Sequence, residues 1–337
     1  MGFFKNSIFF CNFPPFTGES NYFMIVLFLK DGFGNQLFEY AFARKLSLLC
    51  KDKIVINRIY FKRKKDRTCQ LEKLVLNDSV TFSSGFASFL LLLLLEFRIF
   101  LSLGFRFYRI HIDRDFFNKS FSGAANVFSR CQRFGVYLST DPFAFFDITK
   151  PSSRKIKLVF GNFEHASFFK DCFDELRDEL KLKTPVDIST YLDTSACNVA
   201  IHIRRGDYMS PQWKSLNICN KSYYVQAMRA IRKMFPDAVF NIFSNSHEDL
   251  EWIKENYQLE DEGCVKYMNT GLDDVSDFFI MSACRHFIIA NSTYSWWAAH
   301  LSRGKDKVVI APDIWSIGSP QSEGLYLPEF MRLKVQN

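Results

Sequence analysis

The sequence predicts an α/β protein built on parallel sheets, and three observations predict it. From Lys155 onward, short apolar runs alternate with segments whose apolar residues recur at helical spacing. The apolar runs carry few polar positions, as strands covered on both faces do. The chain also contains, from Met24, a strand, a glycine turn and a helix in direct succession. Its 337 residues suggest two domains, at roughly 100–200 residues each.

Taken in order, Met24–Leu29 (MIVLFL) reads as a strand, Asp31–Asn35 as a turn and Gln36–Leu49 as a helix. Lys53–Asn57 reads as a second strand. Phe86–Leu95 carries no charge, and apolar character continues past Glu96 and Arg98 to Phe105. That stretch falls short of the roughly 18–20 apolar residues a bilayer span needs, and two charges interrupt it. A core or surface-docking helix is expected. Gly104–Pro151 reads as irregular. Ile156–Phe160 is expected as a strand, Ser167–Leu182 as a helix and Pro185–Ala196 as a linker between domains. Strands then follow at Asn198–Ile203, Ala238–Phe243, Val265–Met268, His286–Ala290 and Lys307–Ala311. Helices at Ser222–Met234, Glu248–Tyr257, Val275–Cys284 and Thr293–Leu301 alternate with them.

Composition excludes several classes. Hydrophobic residues make up 48%, which allows a sizeable core and excludes global disorder. The 39 Phe reflect coding bias more than chemistry, since no Phe-rich repeat accompanies them. The nine Cys are scattered, odd in number and never spaced as C-x-x-C, so neither a disulfide framework nor a metal site is expected. A reducing compartment fits. The net charge of +7 is a mild excess, concentrated between Arg58 and Arg67. That run reads as a solvated face or loop, and no nucleic-acid reading motif accompanies it. Met1–Phe23 is apolar but broken by Lys5, Asn6, Asn12, Pro14 and Pro15, and is expected to be an extension ahead of the first domain.

Ligands of open parallel sheets bind beyond the carboxyl ends of the strands, and the polar motifs of this chain fall there. Asp31-Gly32-Phe33-Gly34-Asn35-Gln36 follows the first strand. Its glycines permit close approach of a ligand or simply a tight turn, and Asn35 and Gln36 add amide donors at a helix start. A dinucleotide-binding turn would need a third glycine where Leu37 stands, and an acid where the second strand ends in Asn57. His202-Ile203-Arg204-Arg205-Gly206-Asp207-Tyr208 ends another strand. Adjacent arginines there suit one phosphate fork and one partner for Asp207, or else a surface ion-pair network. Asn291, Ser292 and Thr293 open a helix, where hydroxyls and free N–H groups attract an anion, although Thr293 could be only a cap. Trp296 and Trp297 fit a core better than a sugar platform. Ser244 in Phe243-Ser244-Asn245-Ser246 lines a nucleotide pocket or caps the next helix.

The strings DGFGNQLFEYAFA, GNFEHASFF, HIRRGDY, FSNSHEDLEWIKEN and ANSTYSWWAAHL together resemble the bacterial-type alpha-1,2-fucosyltransferases of glycosyltransferase family 11. The resemblance implies a GT-B-like architecture of two Rossmann-like domains facing a cleft. The expected division is an extension at 1–23, an acceptor-side domain at 24–185 and a GDP-fucose-binding domain at 186–337. It implies inverting transfer of L-fucose from GDP-fucose to a galactose 2-hydroxyl, with no metal and no other cofactor. By matched position, Arg204 would hold the diphosphate, with Asp207 positioning it. His202, Arg205, Ser244, Asn291, Ser292 and Thr293 would complete the donor site, and Gly34 and Asn35 would reach it from the other domain. Asp31, Glu39 and Asn245-Ser246 depart from the family's usual Gly, Gln and two acids. Glu164, Asp31 and Glu39 are candidates for the base. Another donor sugar or linkage, or a non-catalytic glycan-binding relative, is the alternative. The expected partner is a galactose-terminated glycan or lipid-linked oligosaccharide, in O-antigen or capsule synthesis. The expected location is the bacterial cytoplasm, with Arg58–Arg67 and Phe86–Phe105 as a peripheral contact with the inner membrane face.

Overall fold

The computed structural model describes residues 23–64, 67–83, 85–103, 128–139, 146–304, 306–317 and 323–335. The first parallel sheet comprises β1 (Met24–Phe28), β2 (Lys53–Asn57), β4 (Val80–Ser83), β5 (Val136–Ser139) and β6 (Ile156–Gly161), in the order β4-β2-β1-β6-β5. The second comprises β8 (Cys197–His202), β9 (Ala238–Phe243), β10 (Cys264–Tyr267), β11 (His286–Ile288), β12 (Val309–Pro312) and β13 (Phe330–Leu333). Its order is β10-β9-β8-β11-β12-β13. A two-stranded antiparallel ribbon joins β3 (Leu74–Val75) to β7 (Lys181–Leu182). This is the expected GT-B-like arrangement, two Rossmann-like halves opening on one cleft.

In the first sheet the order reverses beside β1, between β2 and β6. In the second it reverses beside β8, between β9 and β11. Such switch points leave a crevice at the strand ends, because successive crossovers diverge to opposite faces. The loops after β8 and β11 flank the crevice of the second sheet.

Helix α1 (Phe33–Cys50) is apolar on nearly every side, and its burial follows from what surrounds it. One side packs on the first sheet and another on the helix Thr293–Leu301 of the second half. Phe38 lies 4.8 Å from the Trp296 ring and 5.1 Å from that of Trp297, and Phe169 stacks on Trp297 at 5.2 Å. Both tryptophans are fully buried, as core residues between the halves. Truncating a side chain of this size in a core costs about 3–5 kcal/mol. α1 ends at Lys51, whose left-handed backbone lets its N–H reach the Ser47 carbonyl.

Three expectations are corrected. Ser167–Leu182 is not one helix. Two 3-10 turns, at Ala166–Phe168 and Lys170–Cys172, precede a short helix at Phe173–Glu179, and the chain then joins β3 as a strand. Delivering Phe169 onto Trp297 breaks the helical path. Gly104–Pro151 is not uniformly irregular, since Val136–Ser139 forms the fully buried edge strand β5. Lys307–Ala311 is not the last strand, because β13 extends the second sheet. Helix α3 (Gly85–Leu103) forms as expected, but only Ser88, Leu95 and Ser102 of its described side chains are buried. Of the extension expected at Met1–Phe23, residues 1–22 lie outside the described residues.

Candidate active site

The carboxyl ends of the two sheets enclose a cleft of about 930 Å³. Gly34, Asn35, His202, Arg204, Asp207, Ser244, Asn291, Ser292 and Thr293 line it together, and Arg205 does not.

After β8 the chain turns at Gly206, where φ is 44° and an added Cβ would meet the Asn245 side chain at 3.1 Å. This turn sends the two arginines in different directions. The Nη2 of Arg204 donates to Asp207 Oδ1 at 2.6 Å, while its Nε, also buried, finds no acceptor among the described residues. The Arg204 guanidinium sits 5.2 Å from the Tyr208 ring. Arg205 instead donates through Nε to Asp249 Oδ1 at 3.2 Å and lies 3.3 Å over the Trp252 ring. Its backbone N–H donates to Asn245 Oδ1 at 2.9 Å. Arg204 thus lines the cleft paired with Asp207, whereas Arg205, also expected in the donor site, is held by Asp249 and Trp252 and does not line the cleft. Asp207 also approaches Arg67 of the other half, at 3.7 Å.

His202 ends β8 with its ring beside Tyr294, centroids 5.4 Å apart. Burial, and after it the Arg204 charge, lowers its pKa to about 3, so the ring is neutral at physiological pH. Its Nδ1 is buried without a partner among the described residues. Ser244 donates to the Ile203 carbonyl at 2.8 Å, which fixes one strand end against the next.

The loop after β11 is held by Asn291. Its side-chain amide donates to the carbonyls of Leu216 and Trp315, at 2.9 and 2.8 Å, and its backbone carbonyl accepts from the Tyr208 hydroxyl at 3.0 Å. The two donated bonds hold the side chain that the sequence suggested for the donor within the cleft wall. Ser292 then precedes the helix Thr293–Leu301 without capping it. The first N–H groups of that helix have no intrahelical partner, and the peptide dipoles place positive potential there.

Thr293 donates from Oγ1 to Asn35 Oδ1 at 2.6 Å, joining the halves across the cleft floor. Beside it, a Cβ on Gly34 would lie 2.4 Å from the Tyr294 nitrogen and 2.5 Å from the Thr293 carbonyl carbon. The close approach that Gly34 permits is to this backbone.

Of the three candidate bases, Asp31 and Glu164 line the cleft. Asp31 holds a left-handed backbone (φ 60°), accepting from Lys30 Nζ at 2.7 Å and from the Tyr60 hydroxyl at 3.1 Å. Glu39 is 0% exposed and cannot meet a substrate. Its Oε2 accepts the Lys30 N–H at 3.0 Å, its Oε1 has no partner among the described residues, and burial drives its pKa well above the usual carboxylate range.

Sequence reasoning missed the wall formed by Gln212–Leu216, Met268–Leu272 and Trp315. The loop Met268–Leu272 follows β10, so the strand-end rule that selected the other motifs would have found it. Tyr60 and Arg67, by contrast, belong to the basic run and are brought in by tertiary packing.

A family model described as glycosyl transferase family 11 matches residues 140–334. The chain is 32% identical over 167 residues to an alpha-1,2-colitosyltransferase of Escherichia coli, covering 46% of this chain and 54% of that protein. It is 34% identical over 131 residues to the O-antigen biosynthesis glycosyltransferase WbnK of the same organism, covering 38% and 42%. It is 33% identical over 146 residues to human galactoside alpha-(1,2)-fucosyltransferase 1, covering 41% and 38%. The matched stretches thus span about half the length of these relatives or less. Among solved structures, NodZ alpha-1,6-fucosyltransferase soaked with GDP-fucose superposes with a TM-score of 0.47 at 12% identity, covering 88% of this chain and 97% of that one.

Proposed function

Because this chain belongs to glycosyl transferase family 11, we propose that it transfers L-fucose from GDP-fucose to the 2-hydroxyl of a galactose in a glycan acceptor. In this reading residues 186–337 hold the donor and residues 24–185 present the acceptor. The observation that carries it is one cleft into which Arg204, braced by Asp207, and the uncapped N-terminus at Thr293 both open. Both are donors suited to a diphosphate.

The acceptor oxygen forms a bond to C1 of fucose as the bond from C1 to the β-phosphate oxygen breaks. The electron pair leaves with GDP, and attack from the opposite face inverts the anomeric centre. Negative charge grows on the departing phosphate, and Arg204 and the helix N–H groups stabilise it without reorganising. Neutral His202 would serve as a hydrogen-bonding neighbour and not as a second cation. The acceptor proton passes to Asp31, Glu164 or water. Arg205 and Asn291 support the walls. The reading requires no metal, since Arg204 and the helix end supply the positive potential.

The test is GDP release from GDP-fucose with galactose-terminated acceptors and EDTA present. Acceptor-dependent release should survive EDTA and fall on the order of a hundredfold to a thousandfold in Arg204→Ala. Failure of the wild type to bind GDP-fucose would overturn the donor assignment. A second reading, colitose as the transferred sugar, is favoured by the first relative named above. GDP-colitose in the same assay separates the two, by the ratio of kcat/KM.

A further inference from the structure

Helix α3 leaves the carboxyl end of β4 and packs Leu95 against Val26, Phe28, Leu138 and Leu158 of the first sheet. Its opposite side is a stripe of Phe86, Phe89, Leu90, Leu93, Phe97 and Leu101, all exposed, with Phe86 at 68% and Phe97 at 57%. The spacing places the six on one helical face, about 22 Å long at 1.5 Å per residue. Exposed apolar side chains in this density mark an interaction surface.

Charge beside the stripe says what covers it. Helix α2 (Ile59–Arg63) packs against α3, and Lys62 and Lys64 there are exposed. The chain as a whole carries +7. A second copy would set like net charges together, whereas anionic headgroups complement them. The surface also adjoins the cleft, because Tyr60 of α2 donates to Asp31 in the cleft wall.

We propose that α3 lies on an anionic bilayer, with its stripe in the boundary between headgroups and acyl chains and with Lys62 and Lys64 on the headgroups. The helix does not cross the bilayer. The Asn57 amide holds the Ser88 carbonyl, and Arg98 donates to the Ile156 carbonyl, so a span would tear α3 from the sheet. It would also take Glu96 and Arg98 into hydrocarbon. Glu96 is exposed on α3 and opposes anionic lipid, which limits the depth of the helix's C-terminal half. Building on the transferase reading above, this places the cleft where a lipid-linked acceptor presents its sugar.

The experiment is flotation of the full chain with vesicles of phosphatidylglycerol and phosphatidylethanolamine, against phosphatidylcholine alone. The wild type should float with the anionic vesicles and be released by salt. Phe89→Ser, Leu93→Ser and Phe97→Ser combined should weaken binding by about tenfold or more, as should Lys62→Glu with Lys64→Glu. Both variants should keep wild-type turnover of a soluble acceptor, which shows that they fold. Wild type that fails to float, or a triple variant that floats as well as wild type, overturns the proposal. So does sedimentation showing a dimer that the triple variant converts to monomer. Vesicle binding that responds as stated in a protein without transferase activity would uphold the docking and overturn the transferase reading alone.

Discussion

At the ends of the second sheet, polar side chains hold one another in separate pairs; at the ends of the first, several of them gather on one lysine. Arg204 has Asp207, Arg205 has Asp249, Asn291 has two carbonyls and Ser244 has one. Across the cleft, Lys30 draws in Asp31 and Asn162 through its ammonium group and Glu39 through its N–H. That leaves a buried Glu39 oxygen unpartnered among the described residues and Asp31 in a left-handed backbone. One wall is a frame of paired side chains, with the Arg204 Nε and the His202 Nδ1 left without partners among the described residues. The other carries strain and an uncompensated carboxyl group, which the surrounding packing must sustain.

Testing the contrast begins where the two walls meet. Gly34 presses on the backbone of Thr293 and Tyr294, and backbone cannot swing aside as a flexible side chain can. Gly34→Ala should destabilise the protein by about 3 kcal/mol, at the upper end for overpacking. It should also lengthen the Thr293–Asn35 contact and raise the donor KM. Thermal unfolding with and without GDP checks it. An unchanged Tm would mean that the halves separate freely and that the glycine serves a ligand after all.

The same contrast explains what could be read in the sequence. The wall from the second sheet is local: His202–Tyr208 and Asn291–Ala299 each place their chemistry within one short string at a strand end. Even there, the residues alone did not tell which arginine faced the cleft, because Asp249 and Trp252, about 45 positions on, hold Arg205 away from it. The wall from the first sheet is assembled from Asp31, Arg67, Asn162 and Glu164, with Tyr60 behind Asp31, and no periodicity links them. Strands β4 and β5 were missed because no regular alternation of strand and helix surrounds them, as it does the equally short β10 and β12. The apolar helix was legible as a helix of the core or of the surface, and which of the two was not, since sequence alone does not tell a face on the core from an exposed one.

A smaller effect is expected at Glu39. Its pKa is raised by burial, so the folded state holds the proton more tightly than the unfolded chain does. Stability from this group is therefore full below the ordinary carboxylate pKa and is lost as pH rises through the folded value. Glu39→Gln keeps an oxygen for the Lys30 N–H and removes the titration. The variant should match wild type in Tm near about pH 4 and exceed it increasingly toward about pH 8. Parallel curves at all pH values would show that Glu39 is not held protonated, and the contrast between the walls would lose its electrostatic half.

The smallest effect expected belongs to the wall of paired side chains itself. Arg205 lies flat over Trp252 and donates through Nε to Asp249, and both contacts need a planar guanidinium. A lysine keeps the charge but loses the fork and most of the stacking. Arg205→Lys should therefore cost about 1 kcal/mol of stability, while donor KM stays within about threefold of wild type. The split between the two readouts carries the argument. A tenfold rise in donor KM at unchanged Tm would mean that Arg205 leaves Asp249 to meet the diphosphate. The adjacent arginines would then both serve the donor, as the family resemblance implied. A lower Tm with KM unchanged leaves Arg204 as the cation of this pair that faces the substrate, and makes its neighbour the clamp that turns it there.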